Sequence, residues 1–304
     1  NKFQIGTINS FIDYNPVEGF KPRLGGRTLP ELNKSIYFFG YAAYGTLDKT
    51  IKYMGKATYA FNHKSIYTFP VDAISVSSSF DTNIPGTPDD NEQGNILFAT
   101  NNGTFNRYLF NHIFRIDYLK EFENHFSLTG GLKIKSQRPE GSLRFIKEAY
   151  TANDSLLNSI KTAELSFGFR WAPHEQFYQT GTRRLGIPGR YPVFDFNYTK
   201  GVKGLLGGKY SYDDFHLNIR KRVYLSVLGM SHVAIDAGYL FGQAPWPLLT
   251  IHQGNQGFGY DRNSFNTMNY MEFVSDHYVS LSVEHNFNGL FFNRIPLIRK
   301  LKWR

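Results

Sequence analysis

Histidine, serine and carboxylate side chains are the groups in this sequence best suited to proton transfer. His216, His232, His285, Asp236, Ser280 and Ser282 are the ones that could assemble a hydrolytic site. Such a site needs a nucleophile, a base and an acid that orients the base, all within hydrogen-bond reach. These residues lie in stretches where apolar and polar residues alternate, the mark of strands with two unlike faces. On that alternation His285 falls opposite Ser282 and Glu284, and no serine–acid pair flanks His216 on its own strand. No two histidines stand at i and i+2, so no strand face presents a zinc pair. Cysteine is absent, which removes thiolate ligation and disulfides. "SVEHNFNG" (282–289) offers Glu284, Asn286 and Asn288, but one carboxylate is too few for calcium. The expectation is a protein without catalytic residues, metal or cofactor.

Two glycine-rich stretches invite a ligand reading. In "GNQGFGYDRNSFN" (254–266) the glycines permit tight turns, and Asn255, Asp261, Arg262 and Asn266 bring polar groups close together. The strand before and helix after that define a phosphate-binding loop are missing. The stretch reads either as an ordered surface loop or as a plug in which Asp261 or Arg262 pairs with a barrel wall. "GGRT" (25–28) has no helix after it either. It reads as a kink that lets a sheet curve, with Arg27 facing Glu18 or Glu31.

The elements that must position these residues are strands. "FSLTGGLKIK" sets Phe126, Leu128, Leu132 and Ile134 against Ser127, Thr129, Lys133 and Lys135. "AELSFGFRWA" sets Leu165, Phe167, Phe169 and Trp171 against Glu164, Ser166, Gly168 and Arg170. "VFDFNYTK", "FHLNIRKR" and "YVSLSVEHNF" repeat the pattern, with Asp195, Arg220, Arg222 and Glu284 on their polar faces. Roughly a dozen strands follow, many near the ~9–11 residues that a tilted strand needs to cross hydrocarbon. The best helical candidate, Ser142 to Ile160, is at most a short loop helix.

Orientation separates two architectures. A soluble sandwich would have to bury about a dozen aromatic-rich faces in a single core. A closed barrel turns those faces to lipid, encloses the polar ones and leaves no strand edge unpaired. Aromatic residues make up 17% of the chain, and mean hydropathy is −0.38. No apolar run is long enough for a transmembrane helix, a test to which barrel strands are invisible. "KEFENH", "RVYLSV" and "GTLDKT" read as short turns; Asp81–Arg107, Gln137–Ile160 and Gln243–Ser275 read as long loops, the bacterial barrel habit. Pro173–Arg190 is long where that alternation asks for a short turn: it folds into the barrel, or the strand count slips there. Tyr53, Tyr59, Trp171, Tyr198 and Tyr239 near strand ends would form interfacial girdles.

The expectation is therefore an all-β, transmembrane antiparallel β-barrel in a bacterial outer membrane. Lys133, Lys135, Glu164, Arg170, Asp195, Arg220, Arg222 and Glu284 would line its lumen, and the basic ones would bias it toward anions. The net charge of +9 is spread along strands and loops with no nucleic-acid motif, so no nucleic-acid partner is expected. The dense run "RKLKWR" (299–304) reads as the start of a strand at the membrane edge or as a contact with acidic head groups. The expected partners are the bilayer and lipopolysaccharide. Transport, translocation or envelope assembly is the leading function. The alternative is a closed barrel whose loops bind a lipoprotein or glycan; a soluble binding module and an outer-membrane enzyme stand behind both.

Three stretches carry a family resemblance: "NPVEGFKPRLGGRT" (15–28), "RYPVFDFNYTKGVKGLLGGKYSYDDFHLNIRKR" (190–222) and Gly254 to Arg304. Together they resemble the C-terminal barrel region of Bacteroidota outer-membrane proteins that carry an N-terminal carboxypeptidase-regulatory-like domain. More distantly, the chain is similar to the surface-antigen and barrel-assembly barrels. The resemblance implies an integral outer-membrane barrel over residues 1–304 that continues beyond Arg304. It brings no agreed catalytic residues.

Overall fold

A computed structural model of the chain describes residues 2–6, 11–89, 105–146, 156–187, 189–242, 244–255, 259–260 and 264–296. Its strands, in chain order, are β1 (Phe3–Ile5), β2 (Ile12–Asn15), β3 (Gly19–Thr28), β4 (Ile36–Tyr44), β5 (Ile51–Ala60), β6 (Asp72–Asn83), β7 (Arg107–Glu121), β8 (Phe126–Gly141), β9 (Phe145–Ile146) and β10 (Leu156–Leu157). They continue as β11 (Ile160–Trp171), β12 (Gln176–Gln179), β13 (Arg184–Ile187), β14 (Val193–Gly201), β15 (Tyr212–Tyr224), β16 (Met230–Gly242), β17 (Thr250–Ile251), β18 (Val274–Ser275) and β19 (His277–Asn286). One antiparallel sheet of thirteen strands runs β1-β3-β4-β5-β6-β7-β8-β11-β14-β15-β16-β19, with β2 also on β3. Almost every strand pairs with its neighbour in sequence, as hairpin connections require of an up-and-down barrel wall.

Side chains paired across strands share a face, so register shows which residues form continuous rows. One row runs Phe38, Ala57, Val76, Ile116, Leu132, Leu165 from β4 to β11. Another runs Phe169, Phe196, Leu217, Ala237, Val279 from β11 to β19. The apolar face thus continues from β4 to β19, interrupted toward the long-loop end by the Lys200–Asp213 ion pair, and among the described residues no second sheet covers it. Phe167 is 49% exposed and Val279 79% exposed, which no dry sandwich interior would allow. Tyr59 and Trp171 stand on this face at one end of their strands, and Tyr53, Tyr198 and Tyr239 at the other.

Successive connections alternate between the two ends of the sheet. Those following β6, β8 and β16 are long and share one end; those following β7 and β15 are short and lie at the other. "GTLDKT", between β4 and β5, is short but sits at the long-loop end. Pro173–Arg190 lies at the short-turn end, and the strand count does not slip there: β11 and β14 stay paired from Glu164↔Gly201 to Trp171↔Phe194. Its residues make their own hairpin, β12–β13, which stacks Phe177 on Phe69 and places Arg184 on Glu121. The expected loop helix at Ser142–Ile160 is replaced, in its described part, by the β9–β10 pair. Leu143 and Phe145 are two residues apart, a strand spacing, and both bury against Leu109 and Ile160.

Candidate functional site

The eight expected lumen residues all lie on the face opposite the apolar rows. Glu164 is registered with Lys133, Arg170 with Asp195, and Arg222 with His232, which is in turn registered with Glu284. Toward the long-loop end, Lys133 Nζ is 2.7 Å from Glu164 and 3.6 Å from Asp89, while Lys135 Nζ is 2.7 Å from Asp89. Glu164 also accepts hydrogen bonds from the Tyr212 hydroxyl (2.7 Å) and the Thr162 hydroxyl (2.9 Å). Toward the short-turn end, Arg170 donates two bonds to Glu175 (2.8 and 2.7 Å) and faces Asp195 at 3.4 Å. Asp195 also pairs with Arg220, and Arg222 donates to the Tyr224 hydroxyl (3.1 Å). The expected anion bias is thereby offset, because Lys133, Lys135, Arg170 and Arg220 each meet a carboxylate.

Asp89 was invisible to pattern reading, since nothing in a loop sequence announces a contact with Lys135, 46 positions away. Burial alone would raise its carboxyl; the Lys135 and Lys133 ammonium groups and Arg115 overcome this and hold it below its ordinary value. The segment 84–89 that carries it folds inward, and Gly86 lies against Ile251 of β17. Close by, Leu109, Leu143, Phe145 and Ile160 form a buried cluster with Leu157, Tyr210, Trp246, Leu248 and Met271 packed on it. The described parts of the long loops thus fold onto the polar face of the wall.

Gly201 makes room for this arrangement. It is registered with Tyr212, and a methyl group at Gly201 would overlap the Tyr212 ring. Gly201→Ala is expected to displace Tyr212 from Glu164 and destabilise the wall by about 1–3 kcal/mol, measurable by denaturant unfolding in detergent.

A second ionic cluster sits at the long-loop rim, where the β2–β3 and β4–β5 turns meet. Glu18 and Lys52 are fully buried and 2.8 Å apart. Lys52 also pairs with Asp48, and Lys21 lies 3.1 Å from Glu18 and 3.2 Å from Asp81. This corrects the role expected of Arg27, whose Nε donates to the Gln4 side-chain oxygen (2.8 Å) while Glu18 is committed to the two lysines. The Gly25–Thr28 segment runs inside β3 as regular strand, with Gly25 close against Tyr41.

Within the Gly254–Asn266 loop, Asn255 donates to Asn266 Oδ1 (2.7 Å) and to the Gly259 carbonyl (2.7 Å), tying the loop to itself. Asp261 and Arg262 lie outside the described residues, as does the run 299–304. His285 Nδ1 is 2.7 Å from Ser231, and its Nε2 donates to the Leu228 carbonyl (2.9 Å), so a carbonyl rather than a carboxylate orients the ring. His216 is 3.2 Å from Asp214 and 3.4 Å from the Tyr278 hydroxyl, which donates to Asp236 (2.6 Å). Asn288 N–H donates to Asn286 Oδ1 (2.8 Å), a local turn. Among the described residues no three His, Asp or Glu side chains converge as metal ligands would.

The sequence profile described as "Family of unknown function (DUF5686) C-terminal domain" matches residues 1–304. The chain belongs to this family. No curated protein matches the DUF5686 domain in sequence. Among solved structures it is similar to BamA from Haemophilus ducreyi lacking POTRA domains 1–3, with a TM-score of 0.50 and 12% identity. The match covers 84% of the DUF5686 domain and 44% of that chain, so the domain spans less than half of its length. At this identity the likeness concerns fold alone, and the fold is the all-β antiparallel barrel of the transmembrane class.

Proposed function

We propose that the DUF5686 domain is an integral β-barrel of the bacterial outer membrane. It is non-enzymatic, belongs to the transport, translocation or envelope-assembly class, and rests with its lumen closed at the long-loop end. In the whole protein a carboxypeptidase-regulatory-like domain would precede it, as the family resemblance implies. The observation that carries the membrane reading is the exposed apolar band that runs from β4 to β19, set opposite an ion-paired polar face. In lipid that face is solvated; among the described residues β1 and β19 end the sheet without pairing to each other, and barrel closure would remove those two edges. The inward Asp89 contacts and the apolar loop cluster support the resting closure.

Planar-bilayer reconstitution of the full-length protein tests this. Wild type is expected to show almost no steady conductance at pH 7, and Asp89→Asn, which removes the charge holding the loop to Lys133 and Lys135, to raise it. The pH dependence follows from the lowered Asp89 pKa. Docking of the loop gains from the ionised carboxylate at any pH above the undocked value near 3.8 and loses that gain as pH falls through the depressed docked value. Conductance is therefore expected to stay flat from pH 7 to 5 and to rise only below about pH 4. A large steady wild-type conductance would replace the closed state by an open pore. A chain that folds and stays soluble without detergent would overturn the membrane reading altogether.

The folded-in loops also favour a second reading, a closed anchor whose loop surface binds an envelope lipoprotein or glycan. Pull-down in mild detergent addresses it: a stoichiometric partner is expected, and its absence argues against the platform.

A further inference from the structure

We propose that the outward face at the long-loop end of β5–β8 and β11 binds the phosphate group of an anionic outer-leaflet lipid, held by Arg138 and Lys161; this rests on the membrane reading above. The rows of the apolar face change character in order of height. Ile116, Leu132 and Leu165 are followed by Phe114, Ile134 and Ala163. The next row is His112, Ser136 and Lys161, and above it Phe110 is paired with Arg138. Positive charge thus enters the face where the apolar belt stops, the level at which lipid phosphates lie. A groove of about 380 Å³ opens there, lined by Tyr53, Phe80, Phe110, His112, Arg138 and Lys161. Its floor is aromatic: Phe80 stacks on Phe110 at 5.6 Å, with Tyr53 hydroxyl 3.4 Å from His112 Nε2.

Charge complementarity selects the occupant. On the polar face Lys133, Lys135, Arg170 and Arg220 each meet a carboxylate, whereas Arg138 and Lys161 have no carboxylate partner among the described residues. The Arg138 guanidinium lies instead 5.8 Å from the centre of the Phe110 ring. Two exposed cations above an aromatic groove that continues into an apolar belt fit a ligand with a phosphate at one end and acyl chains at the other. An anionic sugar has no acyl chain to lay along Phe114 and Ile134, and a zwitterionic lipid offers no net charge.

Native mass spectrometry of the detergent-purified protein, titrated with phosphorylated lipid A and with the same lipid dephosphorylated, tests the proposal. Wild type is expected to retain the phosphorylated form at least about tenfold better. Arg138→Gln with Lys161→Gln is expected to weaken that binding roughly 30-fold, at the strength typical of a basic side chain beside an anionic headgroup. Arg138→Lys with Lys161→Arg is expected to restore most of it. Lys34→Gln with Lys64→Gln, the same charge loss at the short-turn end, is expected to leave it unchanged. Equal retention of the two lipids, or indifference to the Arg138/Lys161 change, overturns the proposal. Displacement of the lipid by millimolar inorganic phosphate assigns the groove to a free anion and overturns it too. Insertion into phosphatidylcholine vesicles is scored in parallel. Failure to insert sinks the membrane reading, whereas insertion without phosphate preference sinks this inference alone.

Discussion

Val76→Arg is expected to destabilise the barrel in phosphatidylcholine vesicles by roughly 2–4 kcal/mol, the cost of an arginine near the midplane of a lipid-facing barrel wall. Val76 is 40% exposed and is registered between Ala57 and Ile116. Ala57 itself lies between Tyr53 and Tyr59, which stand toward opposite ends of β5. If the same face met water, an exposed valine could become arginine within about 0.5 kcal/mol, because neither packing nor hydrogen bonding changes. The two environments differ severalfold in size, since water hydrates the guanidinium and hydrocarbon rejects it. Urea unfolding in vesicles, with Val76→Ile as the size-matched control, measures the difference. A change below 0.5 kcal/mol would remove lipid from that face.

Lys52→Met is expected to cost about 3–5 kcal/mol, as breaking one partner of a buried ion pair does. The ammonium group of Lys52 has no exposed surface, and its loss leaves Glu18 and Asp48 without their common cation. Burial by itself would raise the Glu18 carboxyl, but Lys21 and Lys52 hold it below its ordinary value of 4.5. Its contribution is therefore present at neutral pH and is lost only as pH falls through the depressed value. Adding Glu18→Gln to Lys52→Met is expected to recover part of the loss, because the uncompensated charge disappears with it. Additive losses in a double-mutant cycle would show that the two side chains do not act as a pair.

The faces of the strands were legible in advance because a strand alternates with a period of two, and one strand suffices to show it. Lys133, Glu164, Arg170 and Asp195 were placed on one face by alternation and are found there in register. Their partners were not legible. Asp89, Glu175 and Tyr212 reach them from connections or from strands distant in sequence, and a period-two pattern carries no information about which loop folds back. The rim cluster was missed for the same reason: Glu18 sits in a turn, Lys52 at the start of a strand, and only the meeting of two turns brings them together. Arg138 and Lys161 were passed over because each closes an alternation instead of belonging to it; register alone sets them side by side above the apolar belt.

By itself, the order of residues determined that the fold is all-β, that most long strands have an apolar side and a polar side, and that these 304 residues offer no cysteine chemistry. These are properties of neighbours along the chain, read within about ten residues. Tertiary structure decided that the described parts of the long loops turn inward, that most of the charge on the polar face is neutralised, and that Arg138 and Lys161 face out where the apolar surface ends at the long-loop end. Those outcomes depend on pairs dozens of residues apart. Register and burial choose such pairs together, and an isolated lysine carries no mark of the carboxylate that will meet it.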